Sequence, residues 1–373
     1  MKKMCCIILM VLILASMPVY AELSVSAKSC ILMEAVTGRV LYEKNADAVL
    51  PMASTTKLFT ALMIRECCAL DELVTVSASA VQTEGSSAYL KAGERLTVEQ
   101  LLYAVLLSSG NDAAEVLAEH AFDGNRERFV NHMNQQAKKL GLIHTHFTNP
   151  SGLPNEEHYT TARELAQIGR LAGMDPVISR IAATKNISFS TENDVIHSYT
   201  NHNALLRMYP YATGLKTGYT RAAGRCLVSS AEKDGVKLIC VTLNAADDWN
   251  DHMRLFEYGF TQVRMTCRYN PHDIEVAVKI MGGVRDEIVA SNAVPILLPD
   301  IEGNEDYRFQ YAIEPAIFAP IDEGQTVGKG FVLLNERIVS CFDLVAESSL
   351  ESDRVSDRSF LKEIQRIFNF LLL

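Results

Sequence analysis

The sequence lacks the features that would assign it at once to a nucleic-acid-binding or repeat protein. Its net charge is -10, and no basic patch or stripe offsets it, so nucleic acid is excluded as a partner. No internal repeat or low-complexity tract stands out. Hydrophobic residues make up 48% of the 373 positions, which is enough for one large core or two smaller ones.

Residues 1–21 are predicted to be a secretory signal peptide. Lys2 and Lys3 precede an apolar run over 4–15, and the segment ends on Ala21 at a typical cleavage spacing. The run is shorter than the roughly 20 residues of a membrane-spanning helix. We therefore expect an exported protein, with an uncleaved anchor as the alternative.

Motifs that pair cysteines or bind metals are also missing. Two of the nine cysteines, Cys5 and Cys6, lie in the signal segment, which leaves seven, an odd number, with no CxxC spacing. Exported proteins usually pair their cysteines, but here we expect mostly free, buried thiols. His144 and His146 have no third ligand at a suitable spacing, so neither a metal nor a cofactor is predicted.

Hydrophobic periodicity predicts an α/β (α+β) domain over residues 22–264. Strands open and close this domain, and helices fill its middle, so one antiparallel sheet must form from distant segments with helices packed over it. After a linker near 264–270, alternating residues predict a small all-β, sandwich-like domain over 265–350.

Residues 351–373 are predicted to form an amphipathic helix. Its apolar face is formed by Phe360, Ile364, Ile367 and Leu371. We interpret this helix as lying in the plane of a membrane surface, and docking on the β domain is the alternative.

The segment 52–64, MASTTKLFTALMI, predicts a helix that begins at Met52 or Ala53 and includes an unexpected ammonium group. Residues three apart on a helix are neighbours, so Lys57 can reach the hydroxyl of Ser54. Serine becomes a good nucleophile when a base removes its proton, and lysine is a base only when neutral. Burial, a second cation and the helix N-terminus each lower the pKa of a lysine.

A second candidate motif, Lys216-Thr217-Gly218, lies on a predicted strand bounded by glycines. Lys216 can supply the second cation, and Thr217 a hydroxyl for a carboxylate. Gly218 leaves room for another backbone, and an extended ligand can pair with such a strand edge. A surface turn is the alternative when this motif is taken alone.

A third candidate motif, Ser109-Gly110-Asn111, interrupts two apolar helices. Ser109 can relay a proton and Asn111 can bond an amide, although a helix corner is the alternative. The three motifs S-x-x-K, S-x-N and K-T-G occur in this order in β-lactamases and penicillin-binding proteins.

On these motifs the sequence resembles the D-alanyl-D-alanine carboxypeptidases, which are low-molecular-mass penicillin-binding proteins. The resemblance extends from PMASTTKLFTAL through LLSSGNDAA and GLKTGYTRAAGRCLVSSA into PIDEGQTVGKG, and so covers nearly the whole mature chain. It implies a β-lactamase/transpeptidase-like fold and removal of the terminal D-alanine from peptidoglycan stem pentapeptides. It also implies covalent binding of β-lactams and a location at the outer face of the cytoplasmic membrane or in the cell wall.

The resemblance further implies a role for each motif residue. Ser54 would form the acyl-enzyme and Lys57 would be its base, while Ser109, alone or with Lys216, would return the proton to the leaving amine. The substrate would be bound by the side chains and backbone of Asn111, Lys216, Thr217, Gly218 and Tyr219. The backbone N–H groups of Ser54 and Tyr219 would form the oxyanion hole.

The sequence departs from the family pattern in two places. In the stretch after the strand that follows K-T-G, relatives often have an arginine that helps fix the substrate carboxylate. The same stretch of this chain is NAADDWNDHMR, and Arg254 is its only arginine. Tyr219 replaces a common histidine after K-T-G. We expect the aspartates within 247–251 to form a solvated surface and Trp249 to be a packing residue.

Two other functions remain open from the sequence. A β-lactamase needs a base for rapid deacylation, and no Glu-x-x-Leu-Asn segment is present in the middle region. A non-hydrolytic penicillin receptor or wall-binding protein would have no need of Lys57.

Overall fold

The computed structural model describes residues 23–303, 305–314 and 317–353. The predicted signal peptide and residues 354–373 of the predicted terminal helix lie outside the described residues, so both stay predictions. Residues 351–353 of that segment are not helical, because Ser352 forms an isolated β-bridge with Gly283. Within the described part of the chain, every helix is too short or too polar to span a bilayer.

The N-terminal domain contains nine strands and eight helices among its described residues. The strands are β1 (Ser29–Glu34), β2 (Val40–Lys44), β3 (Leu73–Thr75), β4 (Arg95–Thr97), β5 (Asn186–Ser190), β6 (Ile196–Thr200), β7 (Ala212–Thr220), β8 (Gly224–Lys233) and β9 (Val236–Ala245). The helices are α1 (Lys57–Cys67), α2 (Val98–Leu106), α3 (Asn111–Ala121), α4 (Arg126–Lys139), α5 (Ala162–Met174), α6 (Pro176–Ala183), α7 (Leu205–Met208) and α8 (Asp248–Gln262).

One five-stranded antiparallel sheet organises this domain, in the order β2-β1-β9-β8-β7. β1 pairs with β9, so that Ser29 lies opposite Leu243. This confirms the prediction that the first and last strands meet in one sheet. A turn at Asp234 and Gly235 joins β8 to β9, and both residues have positive φ, as a tight hairpin requires. β7 lies at the edge of the sheet.

The start of α1 differs from the prediction. A 3-10 turn, Ala53–Thr56, precedes the α-helix, which begins at Lys57 rather than at Met52 or Ala53. Ala53 has a φ of 49°, in the left-handed region that interrupts a right-handed helix. Thr161 caps α5, because its side chain accepts a hydrogen bond from the N–H of Glu164.

The C-terminal domain is all-β, as predicted. Its strands are β10 (Arg264–Tyr269), β11 (Glu275–Met281), β12 (Glu287–Asn292), β13 (Ile296–Asp300), β14 (Tyr307–Ile313), β15 (Ile317–Phe318), β16 (Thr326–Leu334) and β17 (Arg337–Ala346). Six of them form a sheet in the order β14-β16-β17-β12-β11-β15, and β10 pairs with β13. The segment predicted as a linker near 264–270 is therefore mostly strand, since β13 supplies hydrogen-bond partners that local composition does not reveal.

The seven cysteines described are all free thiols. The expectation of burial holds for Cys30, Cys68, Cys226 and Cys240. It is wrong for Cys67, Cys267 and Cys341, which are exposed.

Candidate active site

Ser54 lies in the 3-10 turn at the N-terminal end of α1, where it is partly exposed. Gly152 packs directly against this turn. A Cβ at Gly152 would overlap with the carbonyl oxygen of Ala53 and lie 2.9 Å from the N atom of Ser54, and its φ of +86° also favours glycine. The position of Ser54 is therefore fixed by close backbone packing.

The amine of Lys57 is fully buried and has three hydrogen-bond partners. Its Nζ lies 3.0 Å from Ser54 Oγ, 2.6 Å from Asn111 Oδ1 and 2.5 Å from the carbonyl oxygen of Ser151. The Asn111 amide is oriented by its Nδ2, which donates to the carbonyl of Glu84 at 2.6 Å. Oδ1 of Asn111 therefore faces Lys57 as an acceptor.

This set of partners suits an uncharged amine. A neutral lysine has two N–H donors and one lone pair. Asn111 Oδ1 and the Ser151 carbonyl only accept, so they take the two N–H groups. The lone pair is then left for the hydroxyl of Ser54, which can donate its proton to Nζ. The local geometry thus suits proton transfer from Ser54 to Lys57.

Electrostatics lower the pKa of Lys57 well below its usual range. Burial is the main cause, and the positive charge of Lys216 adds to it. The carboxylates of Glu115 and Asp112 act in the opposite direction without cancelling the effect. The structure therefore brings together the two lysines that the sequence placed 159 positions apart, as the numbers 57 and 216 show.

Lys216, Thr217 and Gly218 occupy the edge strand β7 beside the turn of Ser54. The amine of Lys216 is buried, donates to the Thr217 carbonyl at 2.9 Å and has a pKa lowered by burial to about 7. A Cβ at Gly218 would lie 3.0 Å from the N atom of Ser54. The absence of a side chain at Gly218 lets β7 approach the nucleophile closely.

Ser109 lies between α2 and α3 with a φ of 62°, and Asn111 is the first residue of α3. The predicted interruption of two apolar helices is therefore present. Asn111 is buried and bonded at both ends of its amide to protein groups. In this structure it positions Lys57, and its contact with a substrate amide stays a prediction.

A cleft of about 470 Å³ opens over Ser54. It is lined by Ser54, Ser86, Ser109, His202, Thr217, Gly218, Tyr219, Arg225, Asp248 and Trp249. Five of the eight predicted site residues are in this lining, and Lys57, Asn111 and Lys216 are the three that are buried behind it.

Sequence reasoning missed several groups of the site. The Ser151 carbonyl is a backbone atom, so its residue type gives no signal. Asp248 was expected in a solvated surface, but its side chain is buried and pairs with Arg225. Asp251 is buried as well, where it accepts hydrogen bonds from the backbone N–H of Ser26. Trp249 is a wall of the cleft rather than only a packing residue.

The described residues contain one group of side chains with metal-ligand character. It consists of Cys68, Glu72 and His120, which each have a ligand atom within 4.8 Å of those of the other two. None of these three residues lines the cleft. Glu72 and His120 already bond each other at 2.9 Å. His144 and His146 each have separate partners, the Glu164 carboxylate and a backbone carbonyl.

A serine whose proton a buried neutral lysine can accept is able to attack a carbonyl carbon and hold an acyl group. Fold and site together define a serine-type acyl-transfer enzyme. Residues 15–247 match the family model described as D-alanyl-D-alanine carboxypeptidase, which covers more than half of the sequence. The chain belongs to this family.

Curated relatives agree with this assignment. The chain is 34% identical to the D-alanyl-D-alanine carboxypeptidase DacF of Bacillus subtilis over 320 residues, which is 83% of this chain and 82% of that protein. It is 33% identical to DacC of Escherichia coli over 347 residues, covering 88% and 85% of the two chains.

Solved structures extend the likeness to three dimensions. The D-alanyl-D-alanine carboxypeptidase DacD from Francisella tularensis superposes with a TM-score of 0.62 at 26% identity, covering 89% of this chain and 95% of that one. The Streptomyces K15 DD-transpeptidase superposes with a TM-score of 0.61 at 32% identity, over 64% of this chain and 98% of that one.

The Gly152→Ala substitution tests the packing behind Ser54. We expect it to destabilise the protein by about 1–3 kcal/mol and to slow acylation by penicillin, because the added methyl group must displace the turn. Thermal unfolding and the rate of acylation measure the two effects. Gly93→Ala is a matched control, since Gly93 has the same φ of +86° but nothing within 4 Å of the added carbon. Equal acylation rates in the two variants would contradict this account.

The Lys216→Met substitution tests the electrostatic effect on Lys57. Only neutral Lys57 is a base, so acylation is lost as the pH falls through its pKa. Removing the nearby positive charge raises that pKa, and we expect the acidic limb of the pH–rate profile to move to higher pH. Lys237→Met, at a half-buried lysine on β9, should leave the limb in place. A limb that does not move in Lys216→Met would show that the two amines are not coupled.

Proposed function

We propose that this protein removes the terminal D-alanine from peptidoglycan stem pentapeptides through an acyl-enzyme on Ser54. The observation that supports this most directly is the fully buried amine of Lys57, 3.0 Å from the Ser54 hydroxyl and with a lowered pKa. Family membership and the names of the relatives supply the substrate class.

In the proposed first half of the reaction, Lys57 accepts the proton of Ser54 as Oγ bonds to the carbonyl carbon between the two D-alanines. The backbone N–H groups of Ser54 and Tyr219 stabilise the negative oxygen that forms. Ser109, alone or with Lys216, then passes the proton to the leaving nitrogen. The C–N bond breaks and free D-alanine departs.

In the second half, water adds to the ester carbon of the acyl-enzyme and gives up a proton to Lys57. The C–O bond breaks, and the proton returns to Ser54 Oγ, so the enzyme is restored and the shortened peptide leaves as an acid. Penicillin enters the same path through its β-lactam carbonyl. Its leaving nitrogen stays attached to the acyl group, and the reaction stops at the ester.

The substrate is proposed to lie along β7 as an added strand. This edge of the sheet is open, and Gly218 brings it close to the turn of Ser54. Asn111 bonds the peptide amide, and Thr217 donates to the terminal carboxylate. Tyr219, with 67% of its surface exposed, forms a side of the cleft.

A β-lactamase and a non-hydrolytic receptor are disfavoured for different reasons. The two curated relatives named above are D-alanyl-D-alanine carboxypeptidases. A receptor gains nothing from burying a lysine, which costs free energy in an apolar site. Release of free D-alanine, rapid penicillin hydrolysis, or neither, separates the three functions.

The reaction takes place outside the cytoplasm, where peptidoglycan lies. We propose that residues 1–21 direct export and that residues 351–373 hold the enzyme against the outer face of the cytoplasmic membrane. The proposed units between them are the catalytic domain, 22–264, and the β domain, 265–350.

Replacing Ser54 tests the nucleophile. We expect Ser54→Ala to lower the release of D-alanine from a pentapeptide by at least about 10⁴-fold, because no acyl-enzyme can form. Mass spectrometry should show benzylpenicillin adding to the wild type and not to this variant. Ser108→Ala is the control, since the Ser108 hydroxyl donates to the Ala104 carbonyl at 2.7 Å just after the end of α2. Labelled Ser54→Ala protein would refute the assignment.

Truncation tests the membrane helix. We expect a chain that ends at Ser352 to leave the membrane fraction and keep its D-alanine release, because the apolar face is lost while the described domains remain. The full chain with Lys362→Glu, a change away from the centre of that face, should stay with membranes. Retention of the truncated chain on membranes would contradict the proposal.

A further inference from the structure

The cleft contains one exposed permanent cation among its described lining residues, Arg225. Its side chain has 42% of its surface exposed. The amines of Lys57 and Lys216 are buried, have lowered pKa values and are already bonded to protein acceptors. A carboxylate entering this cleft of a strongly acidic protein therefore meets Arg225 as its accessible partner.

Strand register places Arg225 next to the residue expected to bind the carboxylate. Arg225 lies directly opposite Tyr219 in the β7–β8 pair, and Thr217 lies opposite Leu227. Arg225 and Thr217 are thus diagonal neighbours, a separation that long side chains span. One carboxylate can reach both the Thr217 hydroxyl and the guanidinium group.

The guanidinium is held in place by two neighbours at the start of α8. Its Nε and Nη2 both contact Oδ1 of buried Asp248, at 2.8 and 2.5 Å. Its Cζ lies 5.3 Å from the centre of the Trp249 ring, close enough for a cation–π contact. A side chain fixed in this way loses little conformational entropy when it binds a ligand.

These contacts leave part of the guanidinium available. Arginine has five N–H donors, and the Asp248 contacts use one on Nε and one on Nη2. Both N–H groups of Nη1 and one of Nη2 remain. Two adjacent donors of this kind match the two oxygens of a carboxylate.

Arg254, the arginine within the segment that differs from the family pattern, is placed elsewhere. It pairs with Asp251 at 2.6 Å and lines a separate depression together with Leu23 and Met253. It is therefore not part of the cleft over Ser54.

We infer that Arg225, held by Asp248 and Trp249, binds the terminal carboxylate of the substrate together with Thr217. The inference rests on the proposed function and identifies the anchor that the sequence left open. Arg225 makes the enzyme selective for peptides that end in a free acid.

A pair of substrates tests this anchor. Diacetyl-lysyl-D-alanyl-D-alanine and its C-terminal amide share the scissile bond and differ only in the terminal charge. We expect Arg225→Gln to lower kcat/KM for the acid about 10- to 100-fold, mainly through KM, because a charge-assisted pair is lost. The amide should be cleaved at its wild-type rate. Arg225→Lys should recover part of the loss.

Two variants control for structural effects. Arg221→Gln changes an exposed arginine in the neighbouring β7–β8 turn and should leave both substrates unaffected. Asp248→Asn removes the ion pair but keeps Arg225, so preference for the acid should persist. The double variant Arg225→Gln/Asp248→Asn, which leaves no unpaired buried carboxylate, should lose that preference.

The outcomes separate this inference from the proposed function. If Arg225→Gln keeps the wild-type preference for the acid, or loses acid and amide cleavage equally, Arg225 is not the anchor. If the wild type releases no D-alanine and penicillin does not acylate Ser54, the proposed function itself fails.

Discussion

A buried amine of lowered pKa, 3.0 Å from a serine hydroxyl, is the interaction on which the rest of the site depends. Burial and the nearby charge of Lys216 lower the pKa of Lys57, and the two acceptors Asn111 and Ser151 hold its amine in place. Each element of the catalytic domain contributes to this arrangement. The sheet brings β7 to the turn of Ser54, and the helices exclude water.

Much of this arrangement can be predicted from the sequence because it depends on local spacing. The three-residue separation of Ser54 and Lys57 brings them together in a 3-10 turn followed by an α-helix as well as in a continuous helix. The positive φ of Ser109 matches the interruption of two apolar helices there. The antiparallel sheet follows from strands at both ends of the domain with helices between them.

Other features depend on tertiary contacts that no local pattern encodes. The Ser151 carbonyl contributes an acceptor through the backbone, which its side chain does not reveal. Arg225 follows a tight turn and looks like a surface residue until β8 pairs with β7. Asp248 sits in an acidic, polar segment, yet α8 buries it against that arginine. β10 becomes a strand only because β13 pairs with it.

Two glycines far along the chain, Gly152 and Gly218, pack closely against the turn of Ser54. Ser54 therefore lies in its reactive position only when segments from three separate parts of the domain have assembled. In the unfolded chain the amine of Lys57 is exposed to water and keeps its usual pKa. Folding itself therefore creates the amine of lowered pKa that can take a proton from Ser54.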